Sequence, residues 1–134
     1  MEIVILGAGR VGARVGNVAS RSHTVTIIDR NTSAFDRLSS DFTGQTILGN
    51  GIDVDVLKAA GTQHADVFLA LTESDNGNNM AAEVAKELGA RHVVARLYEP
   101  ERGEVFRGKG ITIVSPTVAG ADRLFTLITG EGAE

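Results

Sequence analysis

The stretch "ILGAGRVGARVG", residues 5–16, decides how the chain is read. It sets Gly7, Gly9 and Gly12 as G-x-G-x-x-G between an apolar run, "IVIL" (3–6), and a segment of helical character. That strand-to-helix context gives the pattern its meaning. Gly7 permits a tight turn, Gly9 lets the backbone approach a pyrophosphate, and Gly12 lets helix and strand pack closely. A helix start adds unpaired N–H groups and a partial positive charge. The candidate phosphate cradle is therefore Gly7, Ala8, Gly9, Arg10, Val11 and Gly12.

Working outward, further apolar runs of strand length follow: "TVTII" (24–28), "TIL" (46–48), "VFLAL" (67–71), "VVARL" (93–97) and "ITIV" (111–114). Most of them hardly alternate, as expected of strands buried on both faces of a parallel sheet. Helical stripes lie between them: Val11, Val15, Val18 and Ala19; Met80, Ala81, Val84, Ala85 and Leu88; Val118, Ala121, Leu124, Phe125 and Ile128. Gly89 is placed to end the second of these helices. A short helix is predicted from Asp53 to Ala60, with Asp53 as its N-cap. Strand alternating with helix six times over predicts a Rossmann-like α/β fold: a doubly wound, mostly parallel six-stranded sheet with helices on both faces. Residues 1–129 are read as this one domain and 130–134 as a polar, frayed tail.

The second strand ends at Asp29, 17 residues after Gly12, where a carboxylate can accept both ribose hydroxyls. An acid there disfavours a 2′-phosphate, although Arg30 beside it softens that exclusion. Arg10 either reaches a terminal phosphate, which ATP has and a dinucleotide lacks, or points to water. Loops after the third and fourth strands should line the same crevice. They supply Asn50 and Gly51 from "GNGID", and Thr72, Glu73 and Asn79 from "TESDNGNN", each either a ligand contact or ordinary loop and cap chemistry. Arg96 is a charge near the end of an apolar strand and calls for a phosphate or carboxylate partner.

Bulk composition narrows the function further. Hydrophobic residues make up 43% and charged residues 22%, with a net charge of -4 and no cysteine. Disulfide frameworks and thiolate metal sites are thus excluded, and general nucleic-acid affinity is argued against. No run approaches the ~18 apolar residues of a membrane span, so a soluble, cytoplasmic protein is expected. His23, His64 and His92 are scattered, no metal-ligand spacing occurs, and no G-x-S-x-G nucleophile motif is present. The expectation is no catalytic residue, no metal and no enzyme. The alternative is the cofactor-binding domain of an NAD-dependent oxidoreductase whose substrate domain is missing.

Assembled, these residues resemble the TrkA N-terminal family, also called RCK or KTN domains. The likeness runs through "ILGAGRVG", "IIDRN", "GNGIDVDVLKAAG", "ADVFLALTESDNGNNMAAEVAKELGA", "VVARLYEPE" and "GITIVSPTVAGADRL". It implies a nucleotide-binding regulatory subunit that binds NAD(H) or ATP/ADP and controls potassium uptake or conductance by ligand-dependent conformational change. It also implies a homo-oligomer, a dimer or a higher ring, on a membrane-embedded potassium channel or transporter. The chain would then sit in the cytoplasm against the inner face of the membrane, held there by its partner, with no insertion of its own. Carried over, it places phosphates on Gly7 to Gly12 with Arg10, ribose on Asp29 and adenine near Asn50 and Gly51. Thr72, Asn79 and Arg96 would make further ligand or interface contacts. Two departures stand out: Gly49-Asn50 replaces the common Gly-Asp, and Pro116-Thr117 replaces a Pro-Glu whose acid can help hold a divalent cation. The smaller C-terminal domain that many full-length members carry has no counterpart in these 134 residues.

Overall fold

The computed structural model describes residues 1–106 and 109–131, so residues 132–134 of the expected polar tail lie outside the described residues. Six strands form one sheet: β1 (Glu2–Leu6), β2 (Thr24–Asp29), β3 (Gln45–Leu48), β4 (Val67–Ala70), β5 (His92–Arg96) and β6 (Ile111–Val114). Their order is β3-β2-β1-β4-β5-β6 and every pairing is parallel. The expected doubly wound sheet is thus present, and it is wholly rather than mostly parallel. Its switch point lies between β1 and β4, whose pairing puts Leu6 beside Ala70.

Both faces of β1 are buried, which is why its sequence does not alternate. Val4 and Leu6 join Phe68, Val93 and Leu57 on one face, while Ile3 and Ile5 join Val25 and Ile27 on the other. The first face is covered by α2 (Val54–Ala59) and α3 (Asp75–Leu88), through Leu57 and the fully buried Ala81, Ala82 and Ala85. The second is covered by α1 (Arg10–Ala19) and by a 3₁₀ segment, Thr32–Arg37, which carries Ala34 and Phe35.

Caps fall where short polar side chains and glycines allow them. The Asp53 carboxylate accepts from Asp55 N–H, and Ser74 Oγ accepts from Gly77 N–H. Gly89 ends α3 at φ 115°, a backbone conformation that costs a glycine little.

Three expectations need correction. The connections β2–β3 and β5–β6 hold 3₁₀ segments, Thr32–Arg37 and Pro100–Phe106, rather than α-helices. The buried side of α1 is Gly12, Ala13 and Gly16, whereas Val11 and Val18 of the expected stripe are exposed. Finally, α4 (Pro116–Thr129) buries none of its residues, and Val118, Leu124, Phe125 and Ile128 of its stripe face outward.

Candidate functional site

The carboxyl ends of β1, β2, β3 and β4 open onto a cleft of about 1050 Å³. Its floor is the glycine loop. Gly7 has φ +107°, and a Cβ there would stand 2.9 Å from the Leu71 carbonyl group. Only glycine fits that turn without strain. A Cβ on Gly12 would lie 1.8 Å from the Gly7 carbonyl oxygen, so the first turn of α1 folds directly against the loop. A Cβ on Gly9, by contrast, would meet nothing within 4 Å. Space is therefore left open over the one glycine that was expected to face a pyrophosphate.

Gly9 is the N-cap of α1, has no side chain to cap the helix, and is followed by a first turn without acids. The orphan N–H groups and the positive end of the dipole consequently face the cleft. Asp29 holds this arrangement to β2: Oδ2 accepts from Ala8 N–H at 2.8 Å and Oδ1 from Asn31 N–H at 2.9 Å. Each carboxylate oxygen keeps a second acceptor site for a hydroxyl donor.

Gly7, Gly9, Arg10, Val11, Asp29, Arg30, Asn50, Gly51, Thr72, Glu73 and Arg96 of the expected set line this one cleft. Ala8 and Gly12 support it from beneath, both buried and both engaged with the loop itself. Asn50 forms an Asx turn, its Oδ1 accepting from Ile52 N–H at 3.1 Å. Gly51 lies over Leu6, whose Cδ2 would be 2.3 Å from an added Cβ. Asn79 does not line the cleft, and its Oδ1 is buried without a partner among the described residues.

Its neighbour Asn78 was missed and is the residue that organises the wall. It is completely buried, Oδ1 accepting from Thr72 N–H (3.0 Å) and the Thr72 hydroxyl (2.7 Å), while Nδ2 donates to the carbonyls of Thr72 (2.9 Å) and Arg96 (2.8 Å). A signal for it exists in the sequence: Asn78 stands three, four and seven residues before Ala81, Ala82 and Ala85, on the helix face that enters the core.

Arg96, 8% exposed, has no carboxylate partner among the described residues. Its Nη2 donates to the Thr72 carbonyl at 2.7 Å, its guanidinium lies 5.3 Å from the centre of the Tyr98 ring, and its Nε has no acceptor among the described residues. Arg37, Ser74, Gly77, Tyr98 and Pro116 also line the cleft and were not expected there. Four arginines (10, 30, 37, 96) face two carboxylates (29, 73) around it, an excess of two positive charges in a chain of net charge -4. Such a cleft attracts anions.

The chemistry offered is binding. His23 meets the N-terminal amine at 3.1 Å and His92 meets Thr112 Oγ1 at 3.2 Å, both away from the cleft lining. Among the described residues no group of three or more His, Asp or Glu side chains is arranged to hold a metal ion. No helix of the described residues is long and apolar enough to cross a membrane.

The TrkA-N domain family matches residues 3–116, from β1 to the first residue of α4. The chain belongs to the TrkA-N domain family. This TrkA-N chain is 41% identical over 136 residues to the Trk system potassium uptake protein TrkA of Streptomyces coelicolor, covering all of this chain and 61% of that protein. It is 34% identical over 131 residues to a TrkA homologue of Methanothermobacter thermautotrophicus, covering 96% of this chain and again 61% of the relative. The TrkA-N chain thus spans about three fifths of the length of these relatives. Among solved structures, the AMP-bound Kef C-terminal domain of Shewanella denitrificans superposes with a TM-score of 0.77 at 20% identity, over 100% of this chain and 84% of that one. The GsuK channel bound to NAD superposes with a TM-score of 0.69 at 23% identity, over 84% and 21% respectively. Both share the fold of this TrkA-N domain.

Proposed function

We propose that this TrkA-N domain is a nucleotide-binding regulatory module of a potassium-uptake system, working in the cytoplasm on a membrane-embedded channel or transporter. The observation that carries the reading is the cleft itself: an open, uncapped helix start over Gly9, flanked by Asp29 and rimmed by four arginines. Phosphates dock at the helix start, the ribose hydroxyls donate to Asp29, and the base lies towards Asn50 and Gly51. The ligand is NAD(H) or ATP/ADP, in keeping with relatives named as Trk potassium-uptake proteins and with fold neighbours holding NAD or AMP. Control by conformational change requires that the ligand prefer one state, since equal affinity for both shifts nothing. The lining holds no histidine or lysine to serve as a substrate-side proton donor or acceptor, which favours a sensor over a hydride-transfer enzyme.

A homo-oligomer is part of the proposal. Leu124, Phe125, Leu127 and Ile128 of α4 are 54–80% exposed, a contiguous apolar face that soluble monomers seldom leave in water.

Thermal-shift titration with NAD⁺, NADH, ADP and ATP tests the central point, because a ligand selective for the native state raises Tm. At least one of the four is expected to do so. If none does, the module has no trigger and the reading fails.

A further inference from the structure

We infer that Asn78 is the positioning residue of the cleft: it fixes the Thr72 carbonyl, and through it aims the Arg96 guanidinium at the bound ligand. The inference rests on the nucleotide reading of the cleft for its ligand, but not for its geometry.

Asn78 spends its whole hydrogen-bonding capacity on two residues. Its two acceptor sites take the N–H and the hydroxyl of Thr72, and its two donors go to the carbonyls of Thr72 and Arg96. The amide can face only one way, since the Thr72 N–H needs an acceptor and the Arg96 carbonyl needs a donor. Thr72 is thereby held by three of the four bonds, and its carbonyl oxygen is presented to Arg96 Nη2 at 2.7 Å. Tyr98 closes the other side of the guanidinium, 5.3 Å from its ring centre. The backbone that carries that ring is tied to the same helix turn, where the Asp75 carboxylate accepts from Tyr98 N–H at 2.8 Å and Glu99 N–H at 3.0 Å.

The first turn of α3 therefore clamps the end of β5 with Asn78 on one side and Asp75 on the other. The outcome is a cation with one arm tied back and no carboxylate beside it. Its Nε is shielded from water yet has no acceptor among the described residues. An unpaired buried donor is costly, and this one stands on the wall of a cleft that collects anions. A side chain with four rotatable bonds would not hold that aim without the clamp.

Two measurements on the 134-residue chain test this. In wild type the Arg96 Nε–H proton is expected to exchange slowly with solvent in NMR spectra, and in Asn78→Ala that protection is lost. Calorimetric titration with ADP and with NADH should show the nucleotide that binds wild type losing at least about tenfold in affinity in folded Asn78→Ala. Adding Arg96→Ala to that variant should then cost nothing more, because the two residues act as one. Unchanged Nε–H exchange, unchanged affinity, or fully additive losses would each overturn the inference. A fall in Tm with affinity intact marks a purely structural role and overturns it too. If Asn78→Ala does not fold, the isosteric Asn78→Asp keeps both acceptor contacts with Thr72 but turns an oxygen towards two carbonyls, and the same readouts decide. The exchange measurement needs no nucleotide, so a cleft that binds none of the tested nucleotides defeats the functional proposal while leaving this test to be answered separately.

Discussion

Helices α1 and α4 each follow a strand of the parallel sheet, α1 starting four residues after Leu6 and α4 two residues after Val114, yet they pack differently. α1 lies against β1 and β2 with Gly12, Ala13 and Gly16 buried, whereas α4 carries the larger apolar side chains Leu124, Phe125, Leu127 and Ile128 and buries none of its residues. The difference is one of approach. Small residues let a backbone come close to the sheet; at Gly16 an added Cβ would already touch Ile27 and Ile5 at 3.6–3.7 Å. Among the described residues, nothing buries the large apolar side chains of α4. Anchoring differs as well. The turn into α1 is tied to β2 by the bond from Ala8 N–H to Asp29, while α4 has its own Ser115 cap at 3.3 Å and the Pro116 start. Apolar content alone does not say whether a helix belongs to its own core or to another molecule.

That contrast can be broken most severely at Gly12. Gly12→Ala forces a carbon to 1.8 Å from the Gly7 carbonyl oxygen. It is expected to lower stability by about 3 kcal/mol, read as a shift in the urea midpoint. An unchanged midpoint would mean that α1 does not sit where it is described. Next in size is Asp29→Ala, which removes the acceptor for Ala8 and Asn31 and, on the proposed reading, the acceptor for the ribose. Nucleotide affinity should fall at least about tenfold, on the order of 2 kcal/mol, and calorimetry showing wild-type affinity would remove Asp29 from the site. The smallest effect on folding is expected from Leu124→Ser combined with Phe125→Ser, which alters an exposed face of α4. Monomer stability should stay within about 0.5 kcal/mol of wild type, while light scattering shows a lower mass at equal concentration. A large destabilisation of the monomer would instead place α4 in the core and erase the contrast with α1.

The same physics explains what could be read from the residues alone. All six strands were legible as short apolar runs, written by double-sided burial in β1 and by β-branched and leucine residues even in the edge strands β3 and β6, which bury none of theirs. The glycine loop was legible because Gly7 and Gly12 answer to backbone geometry. The buried side of α1 was not, since glycine and alanine leave no hydrophobic signal and the more apolar Val11 and Val18 drew the stripe to the solvent side. The 3₁₀ segments Thr32–Arg37 and Pro100–Phe106 were missed because they carry no helical period long enough to see. In the "NN" pair, Asn79 and Asn78 look alike until Ser74 fixes where α3 begins, after which only Asn78 points into the core. Arg37 reached the cleft by tertiary folding from a segment that had given no sign of chemistry, and Tyr98, two residues after Arg96, had no pattern of its own to single it out.

Pro116 is both a lining residue of the cleft and the first residue of α4. A straight helix of 14 residues extends about 21 Å. A rotation about its first residue, at the wall of the cleft, is carried along the whole length of such a rod. A tilt of about 10° at that end sweeps the far end through about 4 Å, a displacement comparable to the width of a side chain. Whatever grips the distal turns of α4 would feel changes in the cleft multiplied, without any strand of the sheet having to move.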